Sequence, residues 1–225
     1  MDAARDQALV RGLLEAYRHG LFPMADPLSR MIRWYDPDPR AIIPLEPGAF
    51  RVPRSLRQRV RSGRFQITSD TAFERVIRAC ARPEKPEECW IDASIIEAYC
   101  TLHRHGHAHS IEAWLAGPEG RLRLVGGLYG VALGGLFAGE SMFSRPDLGG
   151  TDASKVCLVH LVGHLRRRGY LLLDTQFSNP HMARFGCREI PRLDYHRLLR
   201  AAVQASCSWH PFEPLGSAEA PVPAA

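Results

Sequence analysis

A chain of 225 residues, 45% hydrophobic and 24% charged, holds enough apolar material for a full core. This excludes a disordered or fibrous protein and fits one large domain or a main domain with a small companion. The formal charge is +5, and all but two of the 29 basic residues are Arg, Lys standing only at 85 and 155; such a surface suits phosphate groups, or is a solvated basic face.

No apolar run reaches membrane-spanning length, and Met1-Asp2-Ala3-Ala4-Arg5-Asp6 lacks the apolar centre of a signal peptide. Six Cys without a CxxC pair read as reduced thiols, so a cytoplasmic protein is expected. The spacing of Leu9, Leu13 and Tyr17 predicts a helix from Asp6 to His19, stopped by Gly20. Leu21 to Asp38 is turn-rich, and Pro37 and Pro39 mark a boundary between a small N-terminal domain, 1–38, and a main domain, 39–210. Pro53 suits the first turn of a basic helix running to Arg61. Phe65–Thr68 reads as a strand, Thr71 with Glu74 as a capping box for the helix through Phe73, Val76, Ile77 and Cys80, and Arg82–Glu88 as a charged loop. Asp92 caps a further helix through Leu102.

From Ala108 the period becomes strand-like. His109–Leu115, Arg121–Val131 and Leu136–Phe143, joined by glycine turns, read as an antiparallel meander. An amphipathic helix from Asp152 to Arg168, a strand from Tyr170 to Phe177, a short helix ended by Gly186, a short strand and a last helix from Leu193 to Ala205 follow. The tail from Pro211 is rich in Pro and Ala and is expected to be disordered. The order implies an α+β fold, a mixed sheet flanked by helices.

Two strand-like runs carry polar groups capable of chemistry: Gly139–Ser144 (GESMFS) and Leu172–Phe177 (LLDTQF). Side chains two apart in a strand share a face, so Asp174 and Gln176 are expected side by side, with Glu140 as a second carboxylate if its strand lies near. Burying such groups is costly unless something binds there. His103, His105, His107 and His109 beside Cys100 look metal-like, but they straddle a helix end and a strand start and are read as binding no metal.

These two runs, with Gly20-Leu21-Phe22-Pro23, Trp34 through Arg40 (WYDPDPR), Gly106 through Glu112 (GHAHSIE), Leu124 through Val131 (LVGGLYGV) and Asp152-Ala153-Ser154-Lys155, fall in an order and spacing that span nearly everything from Leu9 to Leu199. In this the chain resembles the bacterial leucyl/phenylalanyl-tRNA–protein transferases. The resemblance implies an acyl-CoA N-acyltransferase-like (GNAT-like) main domain and an enzyme without metal or cofactor. Its implied activity moves Leu or Phe, and by the shape tolerance of a Met-bearing pocket also Met, from aminoacyl-tRNA to proteins with N-terminal Arg or Lys, marking them for N-degron degradation. It assigns catalysis to Asp174, Gln176 and Glu140 and the aminoacyl pocket to Leu128, Phe137, Met142, Leu158, Leu161 and Leu173. The terminal adenosine falls to Trp90 and to Met24, which stands where the family has a second aromatic. The acceptor stem falls to Arg54, Arg57 and Arg61. Arg145–Thr151 is longer than the usual link. Nothing demands more than a monomer.

Two rivals remain. An acetyl-CoA-dependent acetyltransferase needs a Gly-rich pyrophosphate turn opening a helix, whereas Thr151-Asp152-Ala153-Ser154 opens this one. A non-catalytic tRNA-binding protein would lack Glu140, Asp174 or Gln176.

Overall fold

The computed structural model describes residues 3–26, 28–29, 31–81, 90–117 and 120–216. In chain order its elements are α1 (Ala3–Arg18), β1 (Phe22–Ala25), β2 (Ile32–Tyr35), β3 (Arg40–Ile43), α2 (Arg54–Arg61), β4 (Gln66–Ser69), α3 (Phe73–Cys80) and α4 (Ala93–Arg104). There follow β5 (Ala108–Ala116), β6 (Leu122–Leu133), β7 (Leu136–Ser144), α5 (Ala153–Arg167), β8 (Leu172–Gln176), α6 (Pro180–Ala183), β9 (Arg188–Ile190) and α7 (Arg192–Gln204). The α+β class and the meander read from the sequence are the ones observed.

Among the described residues seven strands form one sheet ordered β4-β5-β6-β7-β8-β3-β9, and β1 and β2 pair as a separate hairpin. Every neighbouring pair is antiparallel except β7–β8, which α5 joins by the crossover that parallel strands require. Two apolar clusters result. One holds Val125 and Leu128 of the sheet with residues of α2 and α5. The other holds Tyr129 and Val131 with residues of α1, α3, α4 and α7. Leu128 and Tyr129 thus serve opposite layers, as the pleat dictates, and an irregularity in the β5–β6 register, which skips Val125, lets Val125 share the layer of Leu128 three residues on.

Gly126 lets α5 dock: a Cβ there would lie 2.4 Å from that of Ala153. The expectation of an amphipathic α5 is corrected, because this helix is buried nearly all round, His160 and His164 included. Its outer side is covered by residues 209–216. Trp209 is buried and Phe212 and Leu215 pack on the same cluster, and the Leu215 amide donates to His160 Nδ1 at 3.0 Å. The described part of the tail after Pro211 is therefore packed rather than disordered, because apolar side chains interleave its prolines; residues 217–225 lie outside the described residues, as does the 82–88 loop.

Other expectations need correction. Val10, not Leu9, joins Leu13 and Tyr17 in the core. Pro53 is the residue before α2 rather than within its first turn. No capping box opens α3: Thr71 Oγ1 donates to Glu112 at 3.0 Å and Glu74 pairs with Arg78, both drawn to stronger charged partners. β3 is an addition to the elements expected from the sequence. It lies between β8 and β9, whose sequences come far downstream.

Candidate active site

β8 ends where Gln176 takes a left-handed conformation, φ +56°, unfavourable for a residue with a side chain unless its surroundings hold it. Asp174 does the holding: its Oδ1 accepts the Gln176 amide N–H at 2.9 Å. That carboxylate is itself gripped from the far side. Arg40 of β3 donates Nε to Oδ1 at 3.0 Å and Nη2 to Oδ2 at 2.7 Å, and the Tyr195 hydroxyl donates to Oδ2 at 2.8 Å. Arg40 Nη1 donates to Gly20 O at 2.9 Å, and the guanidinium stacks against the rings of Tyr195 and Phe22. Burial, the largest single influence, would depress the Arg40 pKa, but the Asp174 charge and hydrogen bond, with the charges of Tyr195 and Asp36, together outweigh it and the net shift is upward. The same burial, then Asp174, pushes the Tyr195 phenol well up.

Asp174 and Gln176 are therefore linked, but not as a side-by-side pair of side chains. Asp174 is sealed beneath, 0% exposed, and is not among the residues around the cavity. Gln176 reaches that cavity, and its buried amide nitrogen has no hydrogen-bond partner among the described residues. An orphaned buried donor costs about 1–3 kcal/mol unless a ligand takes it up.

Glu140, on β7, borders the same space. Its Oε1 accepts the Tyr17 hydroxyl at 2.7 Å and its Oε2 that of Tyr99 at 3.2 Å, while the two hydroxyls lie 2.5 Å apart. Burial pushes its carboxyl up to about 7; the Tyr17 hydrogen bond opposes this, the Asp174 charge adds to it, and Tyr99 and Arg40 draw it back. Burial, then the Glu140 charge, raises both phenols well above their usual range.

The cavity has a volume of about 1170 Å³. Leu128 of β6, Met142 of β7, Leu158 and Leu161 of α5, and Leu173 of β8 make its apolar wall, joined by Phe143 and Met182. Its polar lining includes Glu140, Ser141, Ser144, Ser154, Thr175, Gln176, Asn179 and His181. Five of the six pocket residues expected from the sequence thus line one space. Phe137 does not: its fully buried ring packs 5.2 Å from Trp209, on the far side of the sheet from the second cluster, and it fills core instead. Arg145, Pro146 and Asp147 of the lengthened link also border the cavity, with Arg145 forked onto Asp147 at 3.1 and 2.9 Å.

Met24, Trp90 and the three α2 arginines lie outside that lining. The Ala25 amide donates to Trp90 O at 3.2 Å, which brings Trp90 beside the strand that carries Met24; both are half-buried. Arg54 and Arg61 are exposed, whereas Arg57 is half-buried and donates Nη2 to Val52 O at 3.1 Å. Sequence reasoning gives no role to Arg40, Tyr99 or Tyr195, nor to Phe177, an aromatic 49% exposed at the cavity edge. The available signal is the phenols, since a buried tyrosine hydroxyl requires a partner. No described helix is long and apolar enough to cross a membrane.

A family described as leucyl/phenylalanyl-tRNA protein transferase matches residues 43–200, and its N-terminal domain matches residues 9–38. A leucyl/phenylalanyl-tRNA--protein transferase from Rubrobacter xylanophilus is 52% identical over 192 residues, 85% of this chain and 93% of the relative. The protein of that name from Akkermansia muciniphila is 50% identical over 192 residues, 85% and 94% of the two chains. That from Salinibacter ruber is 46% identical over 211 residues, 94% and 87%. The solved structure of FemX aligns over 84% of this chain and 70% of its own, with a TM-score of 0.55 and 11% identity, a likeness of fold alone that accords with the α+β architecture. The chain belongs to the leucyl/phenylalanyl-tRNA protein transferase family and is a transferase enzyme.

Proposed function

We propose that the cavity seats the aminoacyl end of Leu-tRNA or Phe-tRNA and that the α-amine of a protein beginning with Arg or Lys attacks its ester there. What carries this reading is one cavity lined both by apolar side chains and by a Gln176 amide without a partner among the described residues and an uncommonly basic Glu140 carboxylate. The ester is already activated, so catalysis is chiefly alignment, worth about 7–11 kcal/mol for a near-attack geometry. The amine nitrogen bonds to the carbonyl carbon, the bond to the ribose oxygen breaks, and the proton shed by the amine ends on that oxygen. Gln176 donates its amide N–H to the carbonyl oxygen as charge gathers on it. Asp174, clamped by Arg40 and Tyr195, is a positioning residue that sets the Gln176 backbone. Glu140, ionised, binds the cationic acceptor residue. Leu128, Met142, Leu158, Leu161 and Leu173 select the transferred side chain by volume, which admits Met as well.

Trp90 and Met24 form the platform for the terminal adenosine, where stacking of one base contributes about 1–3 kcal/mol. Arg54 and Arg61 meet acceptor-stem phosphates, giving affinity without sequence discrimination. Residues 1–38 act as a small N-terminal domain beside the catalytic body. The enzyme works in the cytoplasm as a monomer, and its products enter N-degron degradation. Incubated with Leu-tRNA, the protein adds one leucyl mass to a peptide beginning with Arg or Lys and none to one beginning with Ala. An unchanged Arg peptide under conditions where the tRNA stays charged contradicts the reading.

A further inference from the structure

We propose that Asp70, His109 and His210 form a binding site for one divalent transition metal of the zinc class, remote from the transfer cavity and fastening the C-terminal segment to the sheet. The three residues come from the end of β4, the start of β5 and the segment after α7. Their ligating atoms all lie within 4.8 Å of one another. Asp70 Oδ2 is 2.8 Å from His109 Nδ1 and 3.5 Å from His210 Nε2. Two imidazole nitrogens and one carboxylate oxygen with a position left for water is a donor set zinc accepts.

The site has the outer support that metal ligands need. Asp70 Oδ1 is occupied by the Ser110 amide at 2.9 Å, which turns Oδ2 toward both rings. Asp70 holds a left-handed φ of +60°, a conformation aspartate tolerates better than most residues. The His109 ring is buried and stacked on Trp209 at 4.5 Å, and the Trp209 indole donates to Ser69 Oγ at 3.0 Å, which brings the adjacent His210 to the end of β4. His103 is not a ligand: its Nδ1 comes within 3.8 Å of Asp70 Oδ1, the oxygen the Ser110 amide occupies, but lies closer to Ala108 O, at 2.8 Å, and its ring stacks on Phe73. His210 also borders a groove lined by Thr68 and Ser69, by which an ion can reach the site.

The test uses the full chain stripped of metal with a chelator and titrated with Co²⁺, read by its visible absorption and by competition with Zn²⁺. Saturable binding of one ion per chain is expected, with a rise in melting temperature. His210→Gln and Asp70→Asn each weaken binding more than about tenfold, while His105→Gln binds as the wild type does. Absence of saturable binding, an unaffected His210→Gln, or loss on His105→Gln each overturns the site. Should Asp70→Asn misfold, His210→Gln still decides, since that ring is 66% exposed.

Discussion

At Glu140 a single carboxyl joins stability to the proposed function. Its usual pKa of 4.5 is lifted to about 7 by burial, so the folded state holds a proton that the unfolded chain would release. That contribution to stability is full below about 4.5 and is lost as pH rises through 7. The proposed acceptor binding needs the opposite form, the ionised one. Transfer to an Arg-initiated peptide is therefore expected to climb through pH 7, ahead of the limb near 8 from the peptide's own α-amine. Glu140→Gln removes the limb near 7 and lowers kcat/KM for the Arg peptide, and it melts higher than wild type at pH 8 by a margin that shrinks toward pH 5. A pH–rate profile unchanged in the variant would show that the carboxylate takes no part in acceptor binding.

At the scale of elements, the site depends on β3 lying against β8. The pairing sets Ile42 opposite Asp174 and Ala41 opposite Gln176, and it brings Arg40 to the carboxylate 134 positions away. Breaking a buried pair from one side strands the other charge. Arg40→Met is expected to cost about 3–5 kcal/mol, a fall of roughly 10 °C in melting temperature for a chain of this size. Arg40→Lys restores little, because an ammonium cannot fork onto both oxygens; a melting temperature within a degree of wild type for Arg40→Met would refute the clamp. On α2, replacing Arg54 and Arg61 together with Ala is expected to lower the log–log salt slope of tRNA binding by about one for each phosphate left without its arginine. An unchanged slope would leave that helix face merely solvated. Much of this architecture is legible in the sequence. Alternation and glycine turns disclose β5, β6 and β7, and Leu158 and Leu161 share a helix face. β3 escapes notice because it is only four residues long and its partners lie beyond α5. The Asp174–Gln176 relation is half legible: the period of two puts them on one face, but the left-handed break at Gln176 comes from a tertiary clamp that no local pattern encodes.

Across the whole molecule the cavity belongs to no single element. β6, β7, β8 and α5 together supply its apolar wall, and α1 and α4 the tyrosines that hold Glu140. The sheet carries cores on both faces and Asp174 holds the Gln176 backbone, so the base of the side chain proposed to meet the oxyanion is set before substrate arrives, the condition under which such a hydrogen bond is worth the most. Single-turnover transfer from Leu-tRNA by Gln176→Ala, measured beside its tRNA affinity, probes that arrangement most directly. The rate is predicted to fall about 10²-fold with the affinity unchanged. A variant that transfers at the wild-type rate, or one that loses tRNA binding in proportion, would contradict it.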